Sequence, residues 1–304
     1  MATLLQELEK HKNNREDGRV FGLVLQGGGM RAVYSAAALA TLIGYDLSDA
    51  FDHVIGASAG AMNGAYFIAG QAEAVDVYKK DLITKDFVNL RRNDKRVDID
   101  FLVDSVLKRK HPLNVQKLLR SPTTLHVVLT DAETGKKKVI SNHRHFLKIY
   151  EELRATAAMP ILYDKKVEVN HDEFVDGGVA DILPIDVALK LGCTDIVVLM
   201  TRRLDSYNFK MEHTRLVRRL MYHLARNQSV PVRKQLPTNE HDLKHNLSLA
   251  AKPPLGCVMY VLEPSDEEIL ISTGTIDKEK VSLLAKLGIQ DTEAFLHLTL
   301  KATG

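Results

Sequence analysis

Gly56-Ala57-Ser58-Ala59-Gly60 places one hydroxyl among neighbours no larger than alanine, where a short apolar strand, Phe51–Ile55, gives way to a helical pattern running to about Ala69. A nucleophile on a sharp strand-to-helix turn needs small neighbours, because the turn brings adjacent residues close together. Such a turn lifts the Ser58 hydroxyl clear of the sheet and sets the Ala59 amide beside it. A serine hydroxyl is a weak nucleophile and needs a base within hydrogen-bond reach. The chain has twelve histidines, none in a motif. His111 precedes Pro112, His143 and His145 flank an arginine, and His171 sits in a polar turn. The stronger candidate base is Asp176 in Phe174-Val175-Asp176-Gly177-Gly178, an acid closing a short strand before two glycines that permit close approach. Taken singly, Ser58 could equally cap a helix and Asp176-Gly177 mark an ordinary turn.

A second unusual stretch precedes both. The apolar run Val20–Leu25 leads through Gln26 into Gly27-Gly28-Gly29-Met30-Arg31, followed by a helical pattern over Arg31–Ile43. Consecutive glycines let backbone amides approach a ligand, and the helix start adds free N–H groups. The chemistry is anion binding: a phosphate, a carboxylate or a transient oxyanion. A phosphate site is disfavoured. No G-K-[ST] follows, nor a G-x-G-x-x-G with an acid some twenty residues on.

These motifs sit at strand ends in an alternating pattern, which predicts an α/β domain with a largely parallel sheet. A polar helix and charged turn occupy residues 1–17. Helical patterns follow at Glu73–Leu82 and Ile99–Lys108, then a hairpin of Leu125–Thr130 with Lys137–Ser141. A helix over Phe146–Ala158 stops at Met159-Pro160. Short strands at Val167–Val169 and Glu173–Val175, helix Pro184–Leu191 and a buried strand Ile196–Met200 complete the central region. One more strand is expected at Cys257–Leu262. Two helices are expected between Asp277 and Ala302, broken near Gly288, with Asp291 or Thr292 capping the second. The expected division is an extension over 1–17, a main domain over 18–265 and a helical segment over 266–304 packed on or near it.

With 304 residues, 45% of them hydrophobic, the chain can bury a substantial core. A net charge of +2 points to no polyanionic partner, and no nucleic acid is expected. Cys193 and Cys257 lie in apolar surroundings and read as reduced thiols. No apolar run has signal-peptide or transmembrane length, so a cytoplasmic location is expected. No His/Asp/Glu cluster suggests a metal, and no cofactor is implied. Charge is concentrated in one place: Arg202–Lys234 carries nine Lys/Arg against two acids. The helix expected over His213–Asn227 reads first as an amphipathic helix with a solvated basic face. Attraction to anionic membrane lipid is the sharper alternative.

Taken together, Gly27-Gly28-Gly29-x-Arg31, Gly56-x-Ser58-x-Gly60 and Asp176-Gly177-Gly178 with Pro184 behind it resemble the patatin-like phospholipase family, of bacterial type. The similarity spans about residues 21–203. It includes Arg154-Ala-Thr-Ala-Ala-Met-Pro160, which looks like the family's small-residue helix before the aspartate. The resemblance implies a patatin-like three-layer α/β/α fold with a mostly parallel central sheet. It implies a lipid acyl ester as substrate, phospholipid or lysophospholipid. Ser58 would be the nucleophile and Asp176 the proton acceptor of a Ser–Asp dyad. Gly27, Gly28, Gly29, Met30 and Arg31 would form the oxyanion loop, and Gly56, Ala59 and Gly60 would frame the nucleophile. Two positions depart from the pattern: Ala32 where glycine is usual after the arginine, and Asp181 where many members carry asparagine before Pro184. The second puts the support of the Asp176 loop in question. Two competing classes remain. A histidine-based α/β-hydrolase or acyltransferase would need a catalytic His after Asp176, and a non-catalytic lipid or phosphate binder would use the glycine loop alone. Oligomeric state is not legible in the residues.

Overall fold

Apolar runs too short for buried helices become strands whose faces are both covered, the pattern expected of a parallel sheet between helix layers. A computed structural model describes residues 2–141, 148–207, 215–236, 240–266, 268–269 and 271–299. The strands are β1 (Phe21–Leu25), β2 (His53–Ala57), β3 (Thr124–Asp131), β4 (Lys137–Ile140), β5 (Val167–Val169), β6 (Asp172–Asp176), β7 (Asp195–Leu199) and β8 (Val258–Leu262). They form one sheet in the order β5-β6-β3-β2-β1-β7-β8, with β4 paired to β3. From β3 through β8 the neighbours are parallel. The β3–β4, β3–β6 and β5–β6 pairs are antiparallel. Parallel order in the middle puts the C-terminal ends of β1 and β2 side by side, Leu25 opposite Gly56. The glycine run and the Ser58 turn therefore start from the same edge, where open α/β sheets bind their ligands.

Helices cover both faces. α1 (Leu4–Asn13), α2 (Val33–Gly44) and α3 (Ala59–Ile68) pack with the C-terminal helix Lys278–Leu296 in one apolar layer. The helices Ile185–Lys190 and Glu240–Ala251 cover the opposite face. The fold is thus the mostly parallel α/β/α arrangement implied by the motifs, with an antiparallel edge at β6 and β5. The predicted hairpin is present, with Gly135 in the left-handed region at its turn. The helix expected from Phe146 is described over Lys148–Thr156. Its expected start, with His143 and His145, lies outside the described residues, as does the start of the basic helix, described over Arg215–Leu224. The expected helices near Glu73 and Ile99 form, but largely with wider turns. Leu82 N bonds Val77 O at 3.0 Å and His111 N bonds Val106 O at 2.9 Å.

One expectation fails. Lys278–Leu296 is a single helix capped by Asp277, whose side chain accepts the amides of Glu279 and Lys280. Gly288 is not a break but a contact point. A Cβ there would lie 2.5 Å from the Tyr34 carbonyl oxygen and 3.2 Å from the Ala37 side chain, so the missing side chain is what lets this helix close on α2. Gly288→Val is expected to force the two helices apart and to cost about 1–3 kcal/mol of stability in urea unfolding. An unchanged midpoint would mean that the helices approach less closely than this.

Candidate active site

Ser58 joins β2 to α3 with φ 54° and ψ −129°. A residue with a side chain is held there at a cost of order 1–3 kcal/mol, and only where its surroundings leave no alternative. Those surroundings are visible. A Cβ on Gly56 would stand 2.6 Å from Ala61 N, and one on Gly60 would stand 2.4 Å from Leu25 O. Both glycines are needed for the strand and helix to cross so closely. The Ser58 amide donates to Thr156 Oγ1 at 2.8 Å, and that hydroxyl donates onward to Val128 O at 2.6 Å. The Ser58 side chain makes no capping bond. Its Oγ instead donates to Asp176 Oδ2 at 2.9 Å. This removes the helix-cap alternative.

Asp176 ends β6 opposite Leu129 of β3 and is buried, at 1% exposure. Its amide donates to Ala158 O at 3.0 Å, and its carbonyl accepts the Thr130 hydroxyl at 2.7 Å. Oδ1 accepts the Gly178 amide at 2.7 Å, leaving Oδ2 aimed at Ser58. Gly177 is required: a Cβ there would fall 2.0 Å from Val128 O. Burial pushes the Asp176 carboxyl up to about 7, against the opposing pull of the Gly178 amide and the Ser58 hydroxyl. A carboxylate of that affinity is matched to proton transfer near neutral pH. Among the described residues no histidine bonds Ser58 or Asp176. His111 faces Asp81 at 3.0 Å, His126 faces His53 at 3.1 Å, and His171 is exposed.

The glycine loop divides into anchored and open amides. Gly27 N donates to Ile182 O at 3.1 Å, Met30 N to Thr273 O at 2.9 Å, and Arg31 N to Gly28 O at 3.2 Å. These three amides are committed within the protein. Among the described residues, the amides of Gly28 and Gly29 donate to no protein acceptor. Side chains have no room at either position. A Cβ on Gly28 would meet Thr201 Oγ1 at 2.7 Å, and one on Gly29, at φ +55°, would meet Thr273 O at 2.5 Å. Ala32 is fully buried and begins α2 without strain.

Asp181 is also fully buried, and its charge is compensated. It accepts from Lys137 Nζ at 2.8 Å, Asn246 Nδ2 at 3.2 Å and Leu183 N at 3.1 Å. Lys137 bonds Asp186 as well, at 2.6 Å. Burial raises the Asp181 carboxyl, and Lys137 opposes the shift. The neighbouring Ile182 carbonyl holds Gly27, so the loop after the candidate base also fixes the glycine strand. Sequence reading did not single out Thr156, Thr201, Thr273 or Lys137. Only Thr156 left a signal, inside the small-residue run before Pro160.

Beside Ser58, Ala59, Gly28 and Gly29 lies a cavity of about 170 Å³. Its far walls are apolar, among them Leu82, Phe87, Val97, Ile99, Leu102 and Leu162. No group of three or more His, Cys, Asp or Glu side chains is arranged to hold a metal among the described residues.

A strained serine at a strand–helix turn, a buried aspartate bonded to it and open glycine amides beside an apolar cavity define the class: an α/β protein with a serine–aspartate site at the edge of its parallel sheet. The model of the patatin-like phospholipase family matches residues 23–189, and the chain belongs to that family. The uncharacterized protein YjjU of Escherichia coli (strain K12) is 27% identical over 194 residues, covering 61% of this chain and 53% of that protein. The chain thus spans about half the length of this curated relative. The crystal structure of VipD from Legionella pneumophila aligns with a TM-score of 0.50 at 14% identity, over 91% of this chain and 66% of that one. That likeness speaks to the fold.

Proposed function

We propose that the protein is a serine hydrolase of lipid acyl esters working through Ser58 and Asp176. Ser58 Oγ attacks the ester carbonyl carbon while its proton passes to Asp176 Oδ2. The carbonyl oxygen becomes an oxyanion facing the amides of Gly28 and Gly29, with the first amide of α3, Ala59, close by. Collapse breaks the ester bond, and Asp176 returns the proton to the departing alkoxide. Water, deprotonated by the same carboxylate, then releases the acyl group and restores Ser58. The apolar cavity accommodates the acyl chain and keeps bulk water from the dyad. The observation that carries this reading is the 2.9 Å bond from Ser58 Oγ to a buried carboxylate with a proton affinity near neutrality. Cleavage of phospholipid or lysophospholipid is what family membership adds.

A fluorophosphonate probe is expected to label Ser58, and the Ser58→Ala variant should stay unlabelled. The base must be ionised to act. Because burial raises the Asp176 carboxyl to about 7, kcat/KM for a p-nitrophenyl ester should rise about tenfold per pH unit below 7 and level off above it. Labelling elsewhere would remove Ser58 as the nucleophile, and a flat profile from pH 5 to 8 would remove Asp176 as the base.

A further inference from the structure

An unusual surface adjoins the cavity wall. Val88 and Val97, both in its wall, pair across a loop that exposes Leu90, at 70%, and Arg91. Asp164 N donates to Asp94 O at 2.8 Å, tying that loop to the wall residues Leu162 and Tyr163. On the other side of Asp164, Asn227 Nδ2 donates to its carboxylate. Asn227 follows the helix Arg215–Leu224, which therefore ends against the same rim. Next in the chain, Val232 is buried against Val175 and Val179, which flank Asp176. The helix turns its two described leucines outward: Leu220 is 56% exposed and Leu224 50%, one turn apart on one face. Arg219 precedes them and Arg226 follows them in the chain, and both are also exposed.

Leucines left in water near arginines, on segments tied to the wall of an apolar cavity, match one environment in two respects. The leucines suit acyl chains, and the cations suit an anionic headgroup layer. A docked protein would satisfy the leucines equally well, but the arginines call for negative charge, and the cavity calls for apolar chains behind it. We infer that the rim formed by Leu90, Leu220 and Leu224 with Arg91, Arg219 and Arg226 seats on an anionic lipid bilayer. Seated there, the protein draws an acyl chain into the cavity without the chain crossing open water. The inference rests on the acyl-hydrolase reading only for the identity of what enters the cavity.

The test is co-sedimentation of the full chain with vesicles of phosphatidylcholine alone or containing about 30 mol % phosphatidylserine. Binding is expected to the anionic vesicles, to be weaker on the neutral ones, and to fall at high salt. Arg219→Glu/Arg226→Glu and Leu220→Asp/Leu224→Asp should each reduce anionic-vesicle binding by roughly tenfold or more. Because all four side chains are exposed, both variants should keep wild-type labelling of Ser58 and wild-type turnover of a soluble short-chain ester. Binding by either variant equal to wild type, or wild-type binding indifferent to lipid charge and salt, overturns the inference. The same result follows if the wild type binds neither vesicle, in which case the rim serves something other than lipid. The Ser58→Ala variant should sediment like wild type. Lipid-charge-dependent sedimentation without any ester turnover would leave the docking surface standing and reject the reaction.

Discussion

An Asp176→Asn variant is expected to lose ester turnover by a factor of roughly 10⁴ while becoming more stable. The asparagine fits the same space and can keep its oxygen on the Gly178 amide, but it cannot take the Ser58 proton. The stability gain follows from linkage. Aspartate ionises near 3.8 when exposed, whereas burial holds Asp176 near 7 in the folded chain. Between those values the folded state binds the extra proton, so its stability falls as pH rises through that window. Above pH 7 the full cost of keeping a buried carboxylate is present, on the order of 4 kcal/mol, and below pH 4 it vanishes. The variant should therefore melt higher than wild type at pH 8 and alike at pH 4. Equal melting at pH 8 would mean that Asp176 is not held in the dry environment that makes it a base.

The second large effect concerns Lys137. Substituting methionine strands the fully buried Asp181 without its cation. Removing one partner of a buried pair typically costs about 3–5 kcal/mol. Asn246 and the Leu183 amide still bond the carboxylate, which places the expectation toward the lower figure. Adding Asp181→Asn to Lys137→Met should recover much of the loss, since asparagine needs no counter-charge there. Chemical denaturation of the two variants decides it. If the double variant is no more stable than Lys137→Met alone, the lysine is not there to balance Asp181.

This pair separates what is legible in the sequence from what is not. The strands leading to Gly27 and Ser58 are legible because covered strands require apolar runs, and the turns at Ser58 and Asp176 because close approach requires glycine. Those are local demands. Asp181 was visible as an exception in its motif, yet its partner lies on the far side of a hairpin, and no spacing rule connects them. The sequence marks Gly27 to Arg31 as one anion-binding loop without separating its open amides from its anchored ones. Which of them remain open depends on the carbonyls of Ile182 and Thr273, supplied by distant loops. Gly288 misled for the opposite reason. Glycine in a helical stretch ordinarily marks a stop, and only the position of α2 shows that it is there to admit Tyr34. The Thr156 hydroxyl, which pins the Ser58 amide, lies inside the small-residue run before Pro160, where nothing in the spacing sets it apart.

The bond from Met30 to Thr273 joins the first strand-loop of the domain to a segment beyond its last strand, and β7, the neighbour of β1, also lies past the family-matched stretch. A chain emerging from the ribosome therefore holds Ser58 and Asp176 long before the glycine loop has its full support. Contacts so distant in sequence form late, after the long intervening chain has been closed. The glycine loop is then fixed only after the segment carrying Thr273 has been made and folded back. Until that point the chain carries Ser58 and Asp176 while the Gly28–Gly29 turn still lacks the anchor at Met30.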